Sequence, residues 1–462
     1  MPLLIKNGRV VTATDDYQAD IYCAGEAITR IEPKIDPTSL PPGTEVVDAT
    51  GQLVFPGFID PHVHIYLPFM GTFAADDYAS ASRAALAGGT TTLIEMICPG
   101  PQDQPWEAFE LWRSKAHGLA AVDYTFHMSV VRFEPALRDQ FRKIVAAGVA
   151  SFKVFLAYKG ALNLTDEDLF AAMKLARELG VIVTAHCENA DAIDALQKAL
   201  LAAGNTGPEW HGPSRPPAIE ADGVHHLCTF AELLGTHVYT VHTSCDEAVR
   251  AALEARYRGV NVWIESVIPH FLLDETYAER PDFEGAKYVM SPPLRARRHQ
   301  DVLWHGVRSR AISTVATDHA PFSFRGQKDM GKDGFTRIPN GIPGIQERVD
   351  LVHTYGVVAE RLSLHAMVDA CSTQAARLFG LYPRKGTIQV GSDADLVVYD
   401  PAFQGTFSKA DSHSNVDYNA YEGWARVGRP RVVTVRGAVQ SRDGQFVGTL
   451  GRGQFLAREP TH

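Results

Sequence analysis

The chain lacks the marks of several common protein classes. Its six cysteines are scattered and include no Cys-x-x-Cys pair, which argues against a disulfide framework and against a structural zinc knot. No apolar run is long enough to span a bilayer, and the net charge of -10 comes without any basic run or stripe. We therefore expect a protein of the reducing cytoplasm, with neither a membrane nor nucleic acid as a partner.

The length of 462 residues indicates one large domain with a smaller partner. Both ends of the chain, about 1–56 and 381–462, alternate apolar residues with turn signals in the manner of short β-strands. The opening Met1–Thr12 has basic residues within its apolar stretch and fits a first strand better than a signal peptide. Neither end has enough strands to close a core alone. We expect them to form one small β-sandwich domain together, with residues 57–380 inserted between them.

The middle of the chain alternates strand-like with helix-like segments. Asp166–Leu179, for example, is a predicted helix that Thr165 or Asp166 caps and Gly180 ends. The alternation predicts an α/β fold, a TIM-like (β/α)₈ barrel over 57–380, with an open doubly wound sheet as the alternative. The absence of Gly-x-Gly-x-x-Gly after the first strand counts against the dinucleotide-binding version of that alternative. The predicted strands end near Ile59, Glu95, Ser129, Phe155, His186, His242, Glu265 and Asp318.

Several strand ends carry side chains of the kind that bind metal ions. His62 and His64 lie two residues apart, so both imidazoles are on the same face of an extended chain. One such pair is weak evidence, but in a barrel the carboxyl ends of all strands meet at one mouth. Nitrogen and oxygen ligands together predict a site for zinc or a neighbouring divalent metal. The other polar residues at such positions are Lys153, His186, His242 and Asp318.

Lys153 differs from the other candidates because it is a cation with apolar neighbours in sequence. One interpretation is a snorkelling side chain whose ammonium reaches water or a carboxylate. Alternatively, burial beside divalent cations would lower the pKa of Lys153 strongly, through desolvation and charge repulsion. A neutral amine can add carbon dioxide and become a carbamate. That product would be an anionic bridge between two metals.

These residues lie in segments that resemble the hydantoinase and dihydropyrimidinase branch of the amidohydrolase superfamily, most of all its bacterial D-hydantoinases. The resemblance covers essentially the whole chain, and the combination of segments is far more specific than any one of them. The segments resemble a metal motif (Gly57–His64), a carboxylated-lysine motif (Ser151–Lys159), a catalytic aspartate motif (Thr317–Phe322), two substrate-binding segments (Met290–Arg295 and Pro339–Gly344) and the return to the small β-domain (Gly391–Val397).

The resemblance implies two divalent metal ions, zinc by default with manganese or cobalt as alternatives. It also implies that carbon dioxide modifies Lys153 to N6-carboxylysine and that a hydroxide forms a second bridge between the metals. The implied ligands are His62, His64 and Asp318 for the first metal, His186 and His242 for the second, and Lys153 for both.

The resemblance further implies a reaction. The ring of a 5-substituted hydantoin or a dihydropyrimidine would open to an N-carbamoyl amino acid, with Asp318 passing the hydroxide proton to the leaving nitrogen. Tyr158 would hydrogen-bond the developing oxyanion, unless it is a packed core tyrosine. Ser291 and Asn340 would bind the cyclic amide, mainly through backbone groups. The expected supports of the metal ligands are Glu188, Asp60 and His319.

One segment departs from related enzymes. Dihydroorotases and many allantoinases carry an arginine shortly after His-x-His, whereas Ile65–Phe69 contains no cation. A neutral ring with an apolar substituent therefore fits this chain better. Leu67, Phe69 and Leu162 are the predicted lining of the pocket for that substituent, with ordinary loop packing as the alternative.

Two other functions stay open at this point. An allantoinase-like or cyclic-imide hydrolase would keep the enzyme and change its substrate. The alternative from a different class is a non-enzymatic scaffold, because relatives of this family act as cytoskeletal signalling proteins after losing metal ligands. All six ligand candidates are present here, which favours the enzyme. The resemblance also implies a homotetramer.

Overall fold

The computed structural model describes residues 2–462. The strands, in chain order, are β1 (Leu3–Val11), β2 (Asp16–Ala24), β3 (Ala27–Glu32), β4 (Glu45–Asp48), β5 (Leu53–Pro56), β6 (Phe58–Val63), β7 (Pro68–Phe69), β8 (Thr72–Phe73), β9 (Thr90–Ile97), β10 (Asp123–Ser129), β11 (Ser151–Phe155), β12 (Ile182–His186), β13 (Val238–Thr240), β14 (Val262–Val267), β15 (Thr314–Ala316), β16 (Leu396–Thr406), β17 (Ala425–Val435), β18 (Ala438–Arg442) and β19 (Gln445–Phe446).

Helices separate most of the central strands. They are α1 (Tyr78–Ala87), α2 (Pro105–Ala116), α3 (Arg138–Ala146), α4 (Asp166–Leu179), α5 (Ala190–Ala202), α6 (Pro217–Leu234), α7 (Asp246–Tyr257), α8 (Ile268–Leu272), α9 (Arg298–Arg308), α10 (Arg348–Val352), α11 (Leu364–Val368) and α12 (Gln374–Leu378). Within residues 2–462, none of these helices combines the length and the apolar character needed to cross a bilayer.

Eight parallel strands form the predicted barrel. Their order is β6, β9, β10, β11, β12, β13, β14 and β15. A parallel bridge between Val63 and His319 joins the two ends of this order, so the barrel is nearly closed. Every residue of β9 is buried, as expected for a parallel strand covered on both faces. The (β/α)₈ prediction is confirmed.

Helix α4 shows how local sequence sets the limits of an element. The Thr165 hydroxyl accepts a hydrogen bond from the Asp168 backbone amide at 3.2 Å and caps the first turn. Gly180 has a left-handed backbone with φ +66°, which ends the helix at no steric cost. Both limits agree with the sequence prediction.

A second sheet unites the two ends of the chain. Its nine strands follow the order β19, β18, β17, β16, β5, β1, β2, β3, with β4 paired to β1. The antiparallel pairing of Phe55 with Val397 joins the amino-terminal part to the carboxyl-terminal part. The prediction of a small β-domain built from both ends is confirmed. The exact division into 1–56, 57–380 and 381–462 stays a prediction.

The last residues of the chain leave this sheet and lie on the barrel. The Leu456 amide donates to the Tyr124 carbonyl at 2.7 Å. Buried Arg458 donates through Nε to the Thr125 hydroxyl at 3.0 Å. Both partners belong to β10, so the tail ties the small domain to the barrel.

Candidate metal centre and substrate cavity

The predicted site residues share one small cavity of about 40 Å³ at the carboxyl ends of the barrel strands. A second cavity of about 550 Å³ shares several of its walls and adjoins it. The predicted residues that line the small cavity are His62, His64, Leu67, Phe69, Lys153, Tyr158, Leu162, His186, His242, Ser291, Asp318 and Asn340. The structure thus brings together residues that are more than half the chain apart.

Three of these residues have a left-handed backbone: Tyr158 with φ +65°, His242 with φ +39° and Asp318 with φ +51°. A strand needs strongly negative φ, so the chain leaves the barrel ladder before His242 and Asp318. Strands β13 and β15 accordingly end at Thr240 and Ala316, two residues earlier than predicted. Such strained positions cluster at active sites and ligand clamps.

Asp318 stands between the two histidines of the first motif. Its Oδ1 atom lies 3.1 Å from His62 Nε2 and 3.2 Å from His64 Nε2. One ligand atom from each of the three residues lies within 4.8 Å of the others, and all three side chains are buried. This spacing is compatible with one shared metal ion, since nitrogen and oxygen ligands of zinc lie about 2.0–2.2 Å from it.

Unsatisfied polar atoms test whether metal ions fit this site. Four nitrogens of the ligand candidates are buried without a hydrogen-bond partner among residues 2–462: His62 Nε2, His64 Nδ1, His242 Nδ1 and Lys153 Nζ. His62 Nε2 touches Asp318 without the geometry of a hydrogen bond. Buried polar atoms in proteins are nearly always paired. Four unpaired nitrogens on one cavity therefore fit a centre that is completed by cations and by modification of the lysine.

The electrostatics favour positive charge near His62 and His64. Burial alone would lower the pKa of His62, but the carboxylates of Glu265 and Asp318 raise it to about 9. Burial likewise opposes ionisation of Asp318, yet His62 and His64 hold its pKa well below the usual range. A site that stabilises a proton in this way also stabilises a metal cation in its place.

The other two histidines, His186 and His242, favour the neutral form of the ring. Burial lowers the pKa of His186 and of His242. Their ring centroids lie 4.4 Å apart. Both rings are therefore neutral near pH 7, which is the form of imidazole that binds metals.

Lys153 is 1 % exposed, and its Nζ lies 4.9 Å from the centroid of the Phe155 ring. No carboxylate oxygen of residues 2–462 comes within 4.0 Å of that nitrogen, so the snorkelling interpretation does not fit. Burial lowers the pKa of Lys153 to about 8, although Asp318 and Glu265 partly oppose this shift. Roughly a tenth of the amine is therefore neutral at pH 7, far more than for an ordinary lysine, and the neutral amine is the form that reacts with carbon dioxide.

Glu265 is a site residue that the sequence did not reveal. Its carboxylate accepts hydrogen bonds from His62 Nδ1 at 2.7 Å, from the His242 amide at 2.9 Å and from the Tyr239 hydroxyl at 2.8 Å. It thereby orients one histidine ring and the backbone of another, as supporting carboxylates do at metal sites. The available signal was a lone acid in the apolar strand Val262–Val267.

The three predicted supports behave differently. Glu188 Oε2 accepts from His186 Nε2 at 2.6 Å and leaves the other ring nitrogen free for a metal. Asp60 accepts from the backbone amides of Thr317 at 3.2 Å and His62 at 3.3 Å, so it holds backbone rather than a histidine ring. The ring of His319 donates to Asp76 at 2.9 Å, and its backbone carbonyl accepts from the His64 amide at 2.7 Å.

Tyr158 and the two substrate-binding segments also line the small cavity. Burial raises the pKa of Tyr158 to about 12, so its hydroxyl stays a hydrogen-bond donor. The Arg215 guanidinium lies 5.5 Å from the centre of the tyrosine ring. Asn340 Nδ2 donates to Ser291 Oγ at 2.9 Å and links the two segments.

Fold and site together define a class, the barrel hydrolases whose strand ends present histidines and an aspartate at one mouth. The sequence profile of the amidohydrolase family matches residues 53–439, and the chain belongs to that family. The predicted relationship to hydantoinases and dihydropyrimidinases is confirmed.

Three relatives illustrate this relationship. The chain is 44% identical to a D-hydantoinase of Geobacillus stearothermophilus, over 99% of this chain and 97% of the relative. It is 37% identical to dihydropyrimidinase 2 of Caenorhabditis elegans, over 100% of this chain and 88% of the relative. A solved structure of a D-hydantoinase (dihydropyrimidinase) from Thermus sp. has a TM-score of 0.97 and 58% identity, with 99% of each chain covered.

Proposed function

We propose that this protein is a cyclic amidohydrolase that opens 5-substituted hydantoins and dihydropyrimidines to N-carbamoyl amino acids. The observation that carries the proposal is the convergence of all six ligand candidates on one cavity, with four of their nitrogens unpaired. Relatives named D-hydantoinase and dihydropyrimidinase, at 44% and 37% identity, support the substrate class. The substrate is a small cyclic ureide or imide.

Two divalent ions fit the donor set. His62, His64 and Asp318 would hold one ion, and His186 and His242 the other. Lys153, as N6-carboxylysine, would be shared between both ions. Zinc suits these ligands best, and manganese or cobalt could occupy the same atoms. When bound, two such ions supply Lewis-acid activation of water and of the scissile carbonyl.

The protein side chains manage the protons and the orientation of the ring. Asp318 is ionised because His62 and His64 hold its pKa low, so it can accept the proton of the attacking water. It then gives that proton to the ring nitrogen as the C–N bond breaks, and the oxygen of the water stays on the carbonyl carbon. Tyr158 donates a hydrogen bond to the carbonyl oxygen as its negative charge grows.

Replacement of Tyr158 by phenylalanine should lower kcat about 100-fold, the usual cost of losing one oxyanion donor. The metal content and the melting temperature should stay close to those of the unmodified protein, because no ligand is touched. Tyr257→Phe is the matched control, since Tyr257 is 94% exposed on the last turn of α7. Steady-state kinetics and metal analysis check the expectation. An unchanged kcat would make Tyr158 a packing residue.

The larger cavity favours neutral rings with apolar substituents. Leu67, Phe69 and Leu162 are among its lining residues, which supports this preference. Two cations also line it, but Lys159 is paired with Asp191 at 2.7 Å and Arg215 with Glu188 at 2.5 Å. Each lysine or arginine that lines this cavity therefore already has a carboxylate partner, and Arg215 Nε is left without a hydrogen-bond partner.

A substrate panel tests the proposed function. It contains hydantoins with alkyl and aryl substituents at carbon 5, dihydrouracil, allantoin and dihydroorotate. We expect ring opening of the hydantoins and of dihydrouracil, and little or none of dihydroorotate, because the cavity would leave its carboxylate without a counter-charge. Appearance of the N-carbamoyl product is followed by chromatography. Hydrolysis of dihydroorotate alone would overturn the neutral-ring proposal, and hydrolysis of allantoin alone would favour the allantoinase alternative.

Further features of the proposal concern the assembly and its setting. We propose a homotetramer in the cytoplasm, on the strength of the family resemblance. The two exposed ends of the nine-stranded sheet, β3 and β19, offer edges for such an assembly. We also propose the domain division 1–56, 57–380 and 381–462.

A further inference from the structure

Lys328 is a buried lysine that is not one of the candidate metal ligands. It begins the short 3₁₀ turn Lys328–Gly331 and is 0 % exposed. Its Nζ atom donates to the carbonyls of Val289 and Pro339, each at 2.9 Å. No carboxylate of the described residues forms an ion pair with it. Burying an amine without a counter-charge is costly, so a fold retains one only where its hydrogen bonds are needed.

One acceptor of Lys328 directly precedes the first substrate-binding segment, Met290–Arg295, and the other begins the second, Pro339–Gly344. Val289 precedes Ser291 by two residues, and Pro339 directly precedes Asn340. The segments also meet directly, through the Gly341 amide on the Val289 carbonyl at 3.0 Å and through Asn340 Nδ2 on Ser291 Oγ at 2.9 Å. The lysine nitrogen therefore sits at the junction that sets the distance between Ser291 and Asn340.

The number of hydrogen-bond donors on a neutral amine matches the two carbonyls that surround Lys328 Nζ. Burial holds the pKa of Lys328 well below its ordinary value, which favours the neutral form. A neutral amine has two N–H donors, and the two carbonyls take one each. The turn itself has little freedom, because a Cβ on Gly331 would lie 2.2 Å from the Ile338 side chain. The amine is thus held against both carbonyls by close packing.

We propose that Lys328 is a positioning residue that fixes the spacing of Ser291 and Asn340 and so the affinity for the cyclic amide ring. This inference rests on the proposed function. Lys328 contacts neither a ligand candidate nor Tyr158, so its loss should weaken binding of the ring without disturbing the metals. Loss of interactions that hold substrate and transition state equally raises KM and leaves kcat unchanged.

The test uses Lys328→Met, which keeps the length of the side chain and removes its donors. We expect KM for 5-benzylhydantoin and for dihydrouracil to rise at least tenfold, with kcat within threefold and the metal content unchanged. Lys328→Gln keeps an NH₂ group with two donors and should recover part of the loss in KM. Lys332→Met, at an exposed lysine one turn further along, is the matched control and should behave like the unmodified protein.

The other outcomes separate the two proposals. An unchanged KM in Lys328→Met, or a parallel fall in kcat and metal content, would overturn the positioning role alone. Failure of both Lys328 variants to fold would assign the lysine to stability and overturn it as well. An unmodified protein that opens neither ring would overturn the proposed function, and the inference would fall with it.

Discussion

Replacement of Lys153 by alanine will reduce kcat/KM by about 1000-fold or more, and acetate or propionate will restore part of the activity. The expected size corresponds to about 4 kcal/mol of transition-state stabilisation, which is the scale of metal-centred charge stabilisation. The alanine removes the proposed shared anionic ligand of both metals. A small carboxylate fits the space that it leaves and supplies the same two oxygens.

The environment of Lys153 supports the proposed modification. The amine is buried, unpaired and shifted to a pKa of about 8, so roughly a tenth of it is neutral at pH 7. An ordinary exposed lysine is almost entirely protonated there and reacts with carbon dioxide poorly. Once formed, the carbamate would place a negative charge in a cavity where the raised pKa of His62 already favours a positive charge.

Two measurements besides the reaction rate check the Lys153 prediction. Metal analysis should show a lower metal content in Lys153→Ala. After incubation with labelled bicarbonate, ¹³C NMR should show a carbamate signal only in the protein that retains Lys153. Lys174→Ala, at an exposed position of α4, is the control and should keep both activity and metal. Full activity of Lys153→Ala without added acid would contradict the bridging role.

The barrel and most of the site could be predicted from the sequence because strand ends are where barrels place functional groups. His62, His186 and Lys153 each lie in or at the end of an apolar strand, so their meeting point follows from the fold. Tyr158, Ser291 and Asn340 lie on connecting segments without a regular period. Their place in the site came from the family resemblance alone.

Two buried groups could not be predicted, for different physical reasons. Glu265 lies 203 positions from His62 in sequence, and only the closing of the barrel brings the carboxylate to 2.7 Å from the ring. A lone acid in an apolar strand has no local pattern that reveals its partner. Lys328 lies in an irregular turn, and both of its acceptors are backbone carbonyls, which carry no side-chain signature.

The strand ends at His242 and Asp318 were misplaced by two residues because both residues adopt left-handed backbone. Residues other than glycine rarely enter that region, although aspartate and histidine do so more often than most, and no local pattern marks these two positions. The left-handed conformation therefore becomes evident only in the folded site. At Asp318 it turns the carboxylate toward His62 and His64, which makes this residue the most sensitive point of the proposed reaction.

Asp318→Asn should reduce kcat about 10⁴-fold, at the upper end of what general acid–base groups contribute. Asparagine keeps the shape of the side chain and one oxygen, but it cannot accept the proton of water. It also offers a weaker ligand, so the content of the first metal should fall while the fold is retained. Asp139→Asn, on the exposed face of α3, is the matched control and should leave kinetics and metal content unchanged.

A second readout of Asp318→Asn is independent of turnover. In the protein freed of metal by a chelator, the pKa of His62 should fall below its value of about 9, because Glu265 and Asp318 are the two carboxylates that raise it and one of them is lost. NMR titration of the histidine rings measures this shift directly. A large loss of kcat with an unchanged pKa of His62 would mean that the Asp318 carboxylate does not raise the pKa of that ring. Retention of kcat would instead move the proton transfer to another group at the barrel mouth.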